Sequence, residues 1–344
     1  MRTRGRQRGA AGRAVRRGLT ALNRIVSPIE SRLPRGGEAE ISQPLLFVVG
    51  PPRSGTTLLS QLLIARFDVG YFTNLHGWFW GAPSWVERWL RPSRWPRVDT
   101  FRSDLGNTDG ILGTSECAVF WFRFFPERPH CLPAGALGPD ERARARAAVA
   151  RLARAFGRPI VFKTVLNTAR IQPLAEAFPE ASFLVSRRNP VEIAHSVLEA
   201  RQRTFGSYDR WWATEPPGWE HLERSPAHEQ AIEQVLRMSE RIERDRAAVG
   251  PDRFFDVSYA EVCENARGVL HELRKSLAGR GIRLTVRAEV PAAFPRREGL
   301  RIPRELYRDL LLAYEERSAT GLHRLGGRVT ALAPGVESDG VGGS

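Results

Sequence analysis

Six residues between Gly50 and Thr57 gather one cation, three hydroxyls and two glycines: Gly50, Arg53, Ser54, Gly55, Thr56 and Thr57. Such a set suits an anion. The guanidinium supplies charge, the glycines let the backbone turn, and the free N–H groups of a helix start point at one spot. Further along, Lys163, Arg188 and Ser196 again pair cations with a hydroxyl, and Tyr259 adds an aromatic ring. Arg188 and Ser196 converge if the first ends a strand and the second lies two turns into the next helix. Two anion pockets in one chain suggest a nucleotide phosphorylated at both ends of its ribose.

These side chains need elements to aim them. Leu45-Leu46-Phe47-Val48-Val49 reads as a buried parallel strand, and Thr56 opens a stretch with apolar residues at helical spacing. Gly50 and Gly55 are spaced as in the nucleotide loop G-x-x-x-x-G-K-[ST], but Thr56 stands at the lysine. Without that lysine, and with Arg53 inside the loop, triphosphate chemistry is disfavoured; a P-loop kinase or NTPase remains the alternative enzyme. Strands at 159–163, 181–187 and 253–258 alternate with helices at 168–178, 190–203, 226–248, 259–278 and 303–317. That rhythm predicts an α/β, P-loop-like three-layer fold with a mostly parallel sheet and helices on both faces. The loop, Lys163, Arg188, Ser196 and Tyr259 then fall at the carboxyl edge of the sheet, where such folds bind ligands. Residues 71–101 and 120–125 are dense in aromatics without a period. Most are expected in the core, with a minority lining a cleft. Residues 140–156 read as an Arg/Ala-rich surface helix, and the Trp/Pro-rich segment 207–226 as a lid.

Pro52-Arg53-Ser54-Gly55-Thr56-Thr57 resembles the 5′-phosphosulfate loop of sulfotransferases that use PAPS, 3′-phosphoadenosine 5′-phosphosulfate. Arg188-Asn189-Pro190 followed by Ser196 resembles their 3′-phosphate motif. Phe255 to Val262 is similar to the V-x-Y-E-D-L element, whose tyrosine lies beside the adenine. The resemblance covers residues 44–280, and Leu58, in place of a stacking tryptophan, suits the bacterial or Golgi-type branches. It implies sulfuryl transfer from PAPS, as co-substrate and without a metal, to a hydroxyl or amine. Catalysis would be mainly positioning and charge stabilisation. By this resemblance Arg53, Ser54, Gly55, Thr56 and Thr57 hold the 5′ end, with Arg53 beside the reacting centre. Arg188 and Ser196 take the 3′-phosphate, Tyr259 flanks the adenine, and Lys163 of Lys163-Thr164 supports the bridging oxygen. The general base is not carried over. The cytosolic branch's histidine is Val165 here, and Thr73 and Asn74 stand where the protein-tyrosine branch has its glutamate. His76, titrating near neutrality, and Glu116, beside an aromatic cluster, are the two candidates. Arg296-Arg297-Glu298-Gly299 loosely matches a further 3′-phosphate element.

Composition bounds the rest. A chain of 344 residues, 42% hydrophobic with nine Trp, can bury a sizeable core. No apolar run approaches the ~18 residues of a membrane span. Three scattered cysteines without a C-x-x-C pair fit a reducing cytosol, so a cytoplasmic protein is expected. Of the net charge of +14, residues 1–36 carry +9, from ten Arg against the single acid Glu30. Basic charge concentrated in an arm argues against specific nucleic-acid binding by the domain, although an arm that binds nucleic acid or anionic membrane stays as the non-enzymatic alternative. The arm, residues 1–40, is expected to be disordered or to rest on anionic lipid as a basic amphipathic helix over 14–29. Residues 41–325 form the catalytic domain in this reading, and 326–344 a flexible tail. Only two of 52 basic residues are Lys, Lys163 and Lys275, which hints that Lys163 sits where a compact ammonium is needed. The acceptor is read as a carbohydrate, lipid or small metabolite.

Overall fold

In β1 (Leu45–Val49) all five side chains are buried, and the period of two splits them between two cores. Leu45, Phe47 and Val49 face one side of the sheet, Leu46 and Val48 the other. The computed structural model describes residues 10–32, 40–96, 99–297 and 299–319. With β2 (Gly70–Tyr71), β3 (Ile160–Lys163), β4 (Ser182–Arg187) and β5 (Phe254–Ser258), β1 forms a parallel sheet in the order β2-β3-β1-β4-β5. The chain fills the sheet on one side of β1 and then on the other, so a crevice opens at the carboxyl end of β1.

The helices are α1 (Ala10–Arg32), α2 (Thr56–Arg66), α3 (Asn74–Trp78), α4 (Pro83–Leu90), α5 (Ala118–Trp121) and α6 (Pro139–Phe156). They continue with α7 (Ile171–Ala177), α8 (Pro190–Phe205), α9 (Ala227–Val249), α10 (Tyr259–Gly279) and α11 (Arg304–Ala319). Helices α6 and α7 cover the Phe47 face; α2 and α10 cover the Leu46 face. The Phe47 ring packs within 5.1–6.1 Å, centre to centre, of Trp121, Phe162, Phe178 and Phe183. A third cluster joins α8, α9 and α11 through Val197, Val235 and Leu310. The three-layer α/β fold expected from the alternation is therefore present.

Four local readings change. The helix expected over 168–178 opens as a 3₁₀ turn, Val165–Ala169, before α7. Helix α6 is no mere surface helix: it buries an alanine stripe with Val149, Leu152 and Phe156. Within the aromatic stretch the chain forms β2, α3 and α4; Tyr71 and Phe72 are core, whereas Trp78 and Trp89 are exposed. The basic segment, expected either disordered or as an amphipathic helix over 14–29, contains the longer helix α1, and α1 is docked on the domain. Asn23 donates to the Trp78 carbonyl (2.8 Å) and accepts from the Gly81 amide (2.7 Å). Glu30 accepts from Ser84 and pairs with Arg123 at 3.2 Å. The single acid of residues 1–36 is thus one of the arm's anchors. The expected tail at 326–344 lies outside the described residues.

Candidate active site

Gly50 leaves β1 with its amide donating to Thr168 Oγ1 at 3.0 Å. A side chain there would strike Ser54 Oγ at 2.5 Å. Arg53 and Gly55 both take positive φ, 71° and 102°, and a Cβ on Gly55 would lie 2.4 Å from the Tyr259 ring. The Ser54 carbonyl accepts from Ser186 Oγ at 2.8 Å, which ties the turn to β4. No side chain caps α2, and Ser54 Oγ is buried with no hydrogen-bond partner among the described residues. An uncapped helix start beside an orphaned buried hydroxyl and a cation has the donor chemistry of an anion cradle.

The second cradle adjoins the first. Asn189 accepts from the Val191 amide at 2.9 Å and Pro190 begins α8, so Asn-Pro caps the helix and leaves Arg188 just past the end of β4. Arg188 donates to the Arg53 carbonyl (3.1 Å) and to Glu192 (2.9 Å), with its guanidinium 4.5 Å from the Tyr259 ring centre. Arg53 Nε donates to Ser196 Oγ at 3.0 Å. Ser258 caps α10 and sets Tyr259 at its first position. Arg53, Gly55, Thr56, Thr57, Arg188 and Tyr259 line one cavity of about 780 Å³, and Arg297 joins them. Burial, and then the like charge of Arg297, lower Arg53 to about 10, so it stays cationic at neutral pH. Several guanidinium groups repelling one another across a cleft are relieved by an anion.

Across the cleft Lys163 ends β3, buried, with Nζ 2.6 Å from Glu116 Oε1. Glu116 Oε2 accepts from the Val165 amide at 3.2 Å, and Thr164 Oγ1 donates to the Glu116 carbonyl at 2.5 Å. A carbon placed on Gly106 would lie 3.7 Å from Glu116 Oε1, 3.8 Å from Thr57 Oγ1 and 3.9 Å from Lys163 Nζ. Carboxylate, hydroxyl and ammonium therefore surround one point at the loop.

A family model described as "Sulfotransferase family" matches residues 44–278, more than half of the chain. The chain belongs to the sulfotransferase family. It is 23% identical over 264 residues to proteins of Mycobacterium bovis and Mycobacterium tuberculosis named omega-hydroxy-beta-dihydromenaquinone-9 sulfotransferase Stf3. The match takes in 71% of this chain and spans 65% of the length of those relatives. In fold it is similar to the sulfotransferase STF9 of Mycobacterium avium, with a TM-score of 0.54, 16% identity, and 89% and 85% of the two chains covered. It is also similar to STF1 of Mycobacterium tuberculosis H37Rv, with a TM-score of 0.50, 17% identity, and 78% and 76% covered.

Of the residues the sequence nominates, all but one meet around the cleft. Ser54, Ser196 and Lys163 are buried just behind its lining, and Glu116 is part of that lining. His76 is the exception. Its ring is wholly buried between Phe72 and Phe156, bonded to Thr73 and 3.4 Å from Glu87, away from the cavity. Burial holds its pKa below 6.5 although Glu87 opposes that. It completes the capping box of α3 with Thr73, so the fold does not bring this base candidate to the cleft.

Sequence reasoning missed His130, Trp212 and Thr214, which line the far side of the cavity. The His130 ring accepts the Glu215 amide hydrogen at 2.9 Å, and burial with Arg128 and Arg170 lowers it to about 4. A lone histidine in a Pro-rich loop carries no motif. The only signal for Trp212 was its position in the irregular 207–226 segment.

Proposed function

We propose that this sulfotransferase moves a sulfuryl group from PAPS to a hydroxyl of an apolar small molecule or lipid. One observation carries the reading: two cation-and-hydroxyl cradles, linked by the Arg53–Ser196 and Arg188–Arg53 hydrogen bonds, open on one cavity beside Glu116. In this reading Ser54, Gly55, Thr56 and Thr57 hold the 5′ end of the nucleotide, and Arg188 with Ser196 the 3′-phosphate. Tyr259 packs beside the base.

PAPS supplies the group transferred: its S–O bond to phosphate breaks as a new S–O bond to the acceptor oxygen forms. Glu116 accepts the proton of the acceptor hydroxyl. Lys163 sets positive charge where negative charge builds on the departing oxygen, the kind of stabilisation such transfers require, and Arg53, bonded to Ser196, adds charge beside the 3′-phosphate.

The acceptor class rests on Phe101, Leu105, Leu166, Trp212 and Phe294 in the cavity wall, and on the hydroxylated menaquinone derivative in the relatives' name. The test is transfer of radiolabelled sulfate from PAPS to a long-chain isoprenoid alcohol with a chelator present. Labelled organic-phase product is expected. Absence of transfer to any hydroxyl acceptor, together with Mg²⁺-dependent ATP hydrolysis, would replace the reading with a nucleoside triphosphatase.

A further inference from the structure

Helix α1 is seated with its polar residues inward and its apolar residues outward. Asn23 and Glu30, two turns apart, are buried against the α3–α4 segment by the bonds described above. Leu22, Ile25 and Ile29, spaced three and four apart, lie on the side turned away and are 44%, 64% and 49% exposed. Arg17 and Arg24 are exposed beside them.

The segment that α1 rests on continues the pattern. Arg88, Trp89, Leu90, Arg91, Arg94 and Trp95 are all exposed, Trp89 to 70%, with its ring 5.5 Å from that of Trp85. The acid on this segment is turned inward: Glu87 is buried with Ser93 and His76, as Glu30 is with Arg123. Both carboxylates are thus spent inside the protein, and the exterior shows arginine interleaved with tryptophan and branched aliphatics. Residues 1–36 add ten Arg in all.

We propose that α1 and α4 form a docking surface for an anionic lipid bilayer. Leu22, Ile25, Ile29 and Trp89 enter the headgroup–acyl boundary while the arginines pair with lipid phosphates. A protein partner or a second copy would also cover the apolar stripe. Neither accounts for charge of one sign around it, which an anionic surface complements. Tryptophan beside arginine is also the composition that sits at a membrane interface. No helix among the described residues is long and apolar enough to cross a membrane, so the contact is peripheral. This holds whatever the cleft binds.

The test is co-sedimentation of the full chain with vesicles of phosphatidylcholine alone or mixed with phosphatidylglycerol. Wild type should partition onto the anionic vesicles, less so at about 0.5 M salt. Ile25→Asp/Ile29→Asp, and separately Trp89→Ser, should each weaken partition at least about fivefold, with unfolding temperature and adenosine 3′,5′-bisphosphate affinity unchanged. If the α1 variant unfolds, Trp89→Ser on α4 carries the test alone. The proposal is overturned if wild type ignores anionic vesicles or if the folded variants bind as wild type does. It is equally overturned if the variants abolish a dimer in solution while leaving vesicle binding intact.

Discussion

Glu116 gives one carboxylate oxygen to Lys163 and the other to the Val165 amide, so its orientation over the loop is set from two sides. Val165 stands where the cytosolic branch carries its histidine; here that position contributes a backbone donor that holds a carboxylate. Glu116→Gln keeps the shape and removes the proton acceptor. Turnover should fall by about 10²–10⁴-fold while bisphosphate affinity changes little. A variant within about twofold of wild-type turnover would contradict Glu116 as the base. His76→Asn, by contrast, should lower the unfolding temperature and leave turnover per folded molecule unchanged, since the ring is sealed between Phe72 and Phe156. The sequence could nominate both residues but not choose between them. Which side chain faces a cleft depends on contacts with residues tens of positions away, such as Lys163 for Glu116 and Phe156 for His76. Lys163 stands out in the sequence by its rarity, and it ends β3 buried beside Glu116, while Lys275 lies exposed on α10.

At the scale of elements, Gly55 joins three of them: it ends the turn after β1, precedes α2 and meets Tyr259 at the start of α10. Gly55→Ala combines a φ of 102° with a methyl 2.4 Å from the Tyr259 ring. The backbone strain alone costs about 1–3 kcal/mol. Stability by denaturant melting and affinity for the bisphosphate should both drop; wild-type values for both would contradict the described turn. The long periodic elements, β1, α2, β4 and α8 to α10, were readable because buried apolar runs and helical spacing survive in the sequence. Two-residue β2 was not, because a strand that short has no period. The docking of α1 was not readable either: it depends on Asn23 and Glu30 finding partners 54 to 93 positions away, and a basic composition masks that.

For the molecule as a whole, α11 packs on α8 and α9, so we propose that the catalytic unit runs from about residue 41 through at least Ala319, beyond the 44–278 of the family match. Its stability should depend on pH through two buried histidines and one partly buried one. His76, His130 and His195 are all held below 6.5 by burial, the last two to about 4. The unfolded chain takes up protons that the folded one refuses, so stability is intact above 6.5 and is lost as pH falls toward 4. Unfolding temperature measured between about pH 8 and pH 5 should be level at first and then decline; a flat profile throughout would contradict rings held neutral by the fold. The central claim is that the two cradles grip one nucleotide at both ends. Calorimetric titration with adenosine 3′,5′-bisphosphate and with 5′-AMP, with a chelator present, tests it most directly. Wild type should prefer the bisphosphate by about tenfold or more, and Arg188→Ala should erase most of that preference. Equal affinity of wild type for the two nucleotides, or a preference that survives Arg188→Ala, would contradict it.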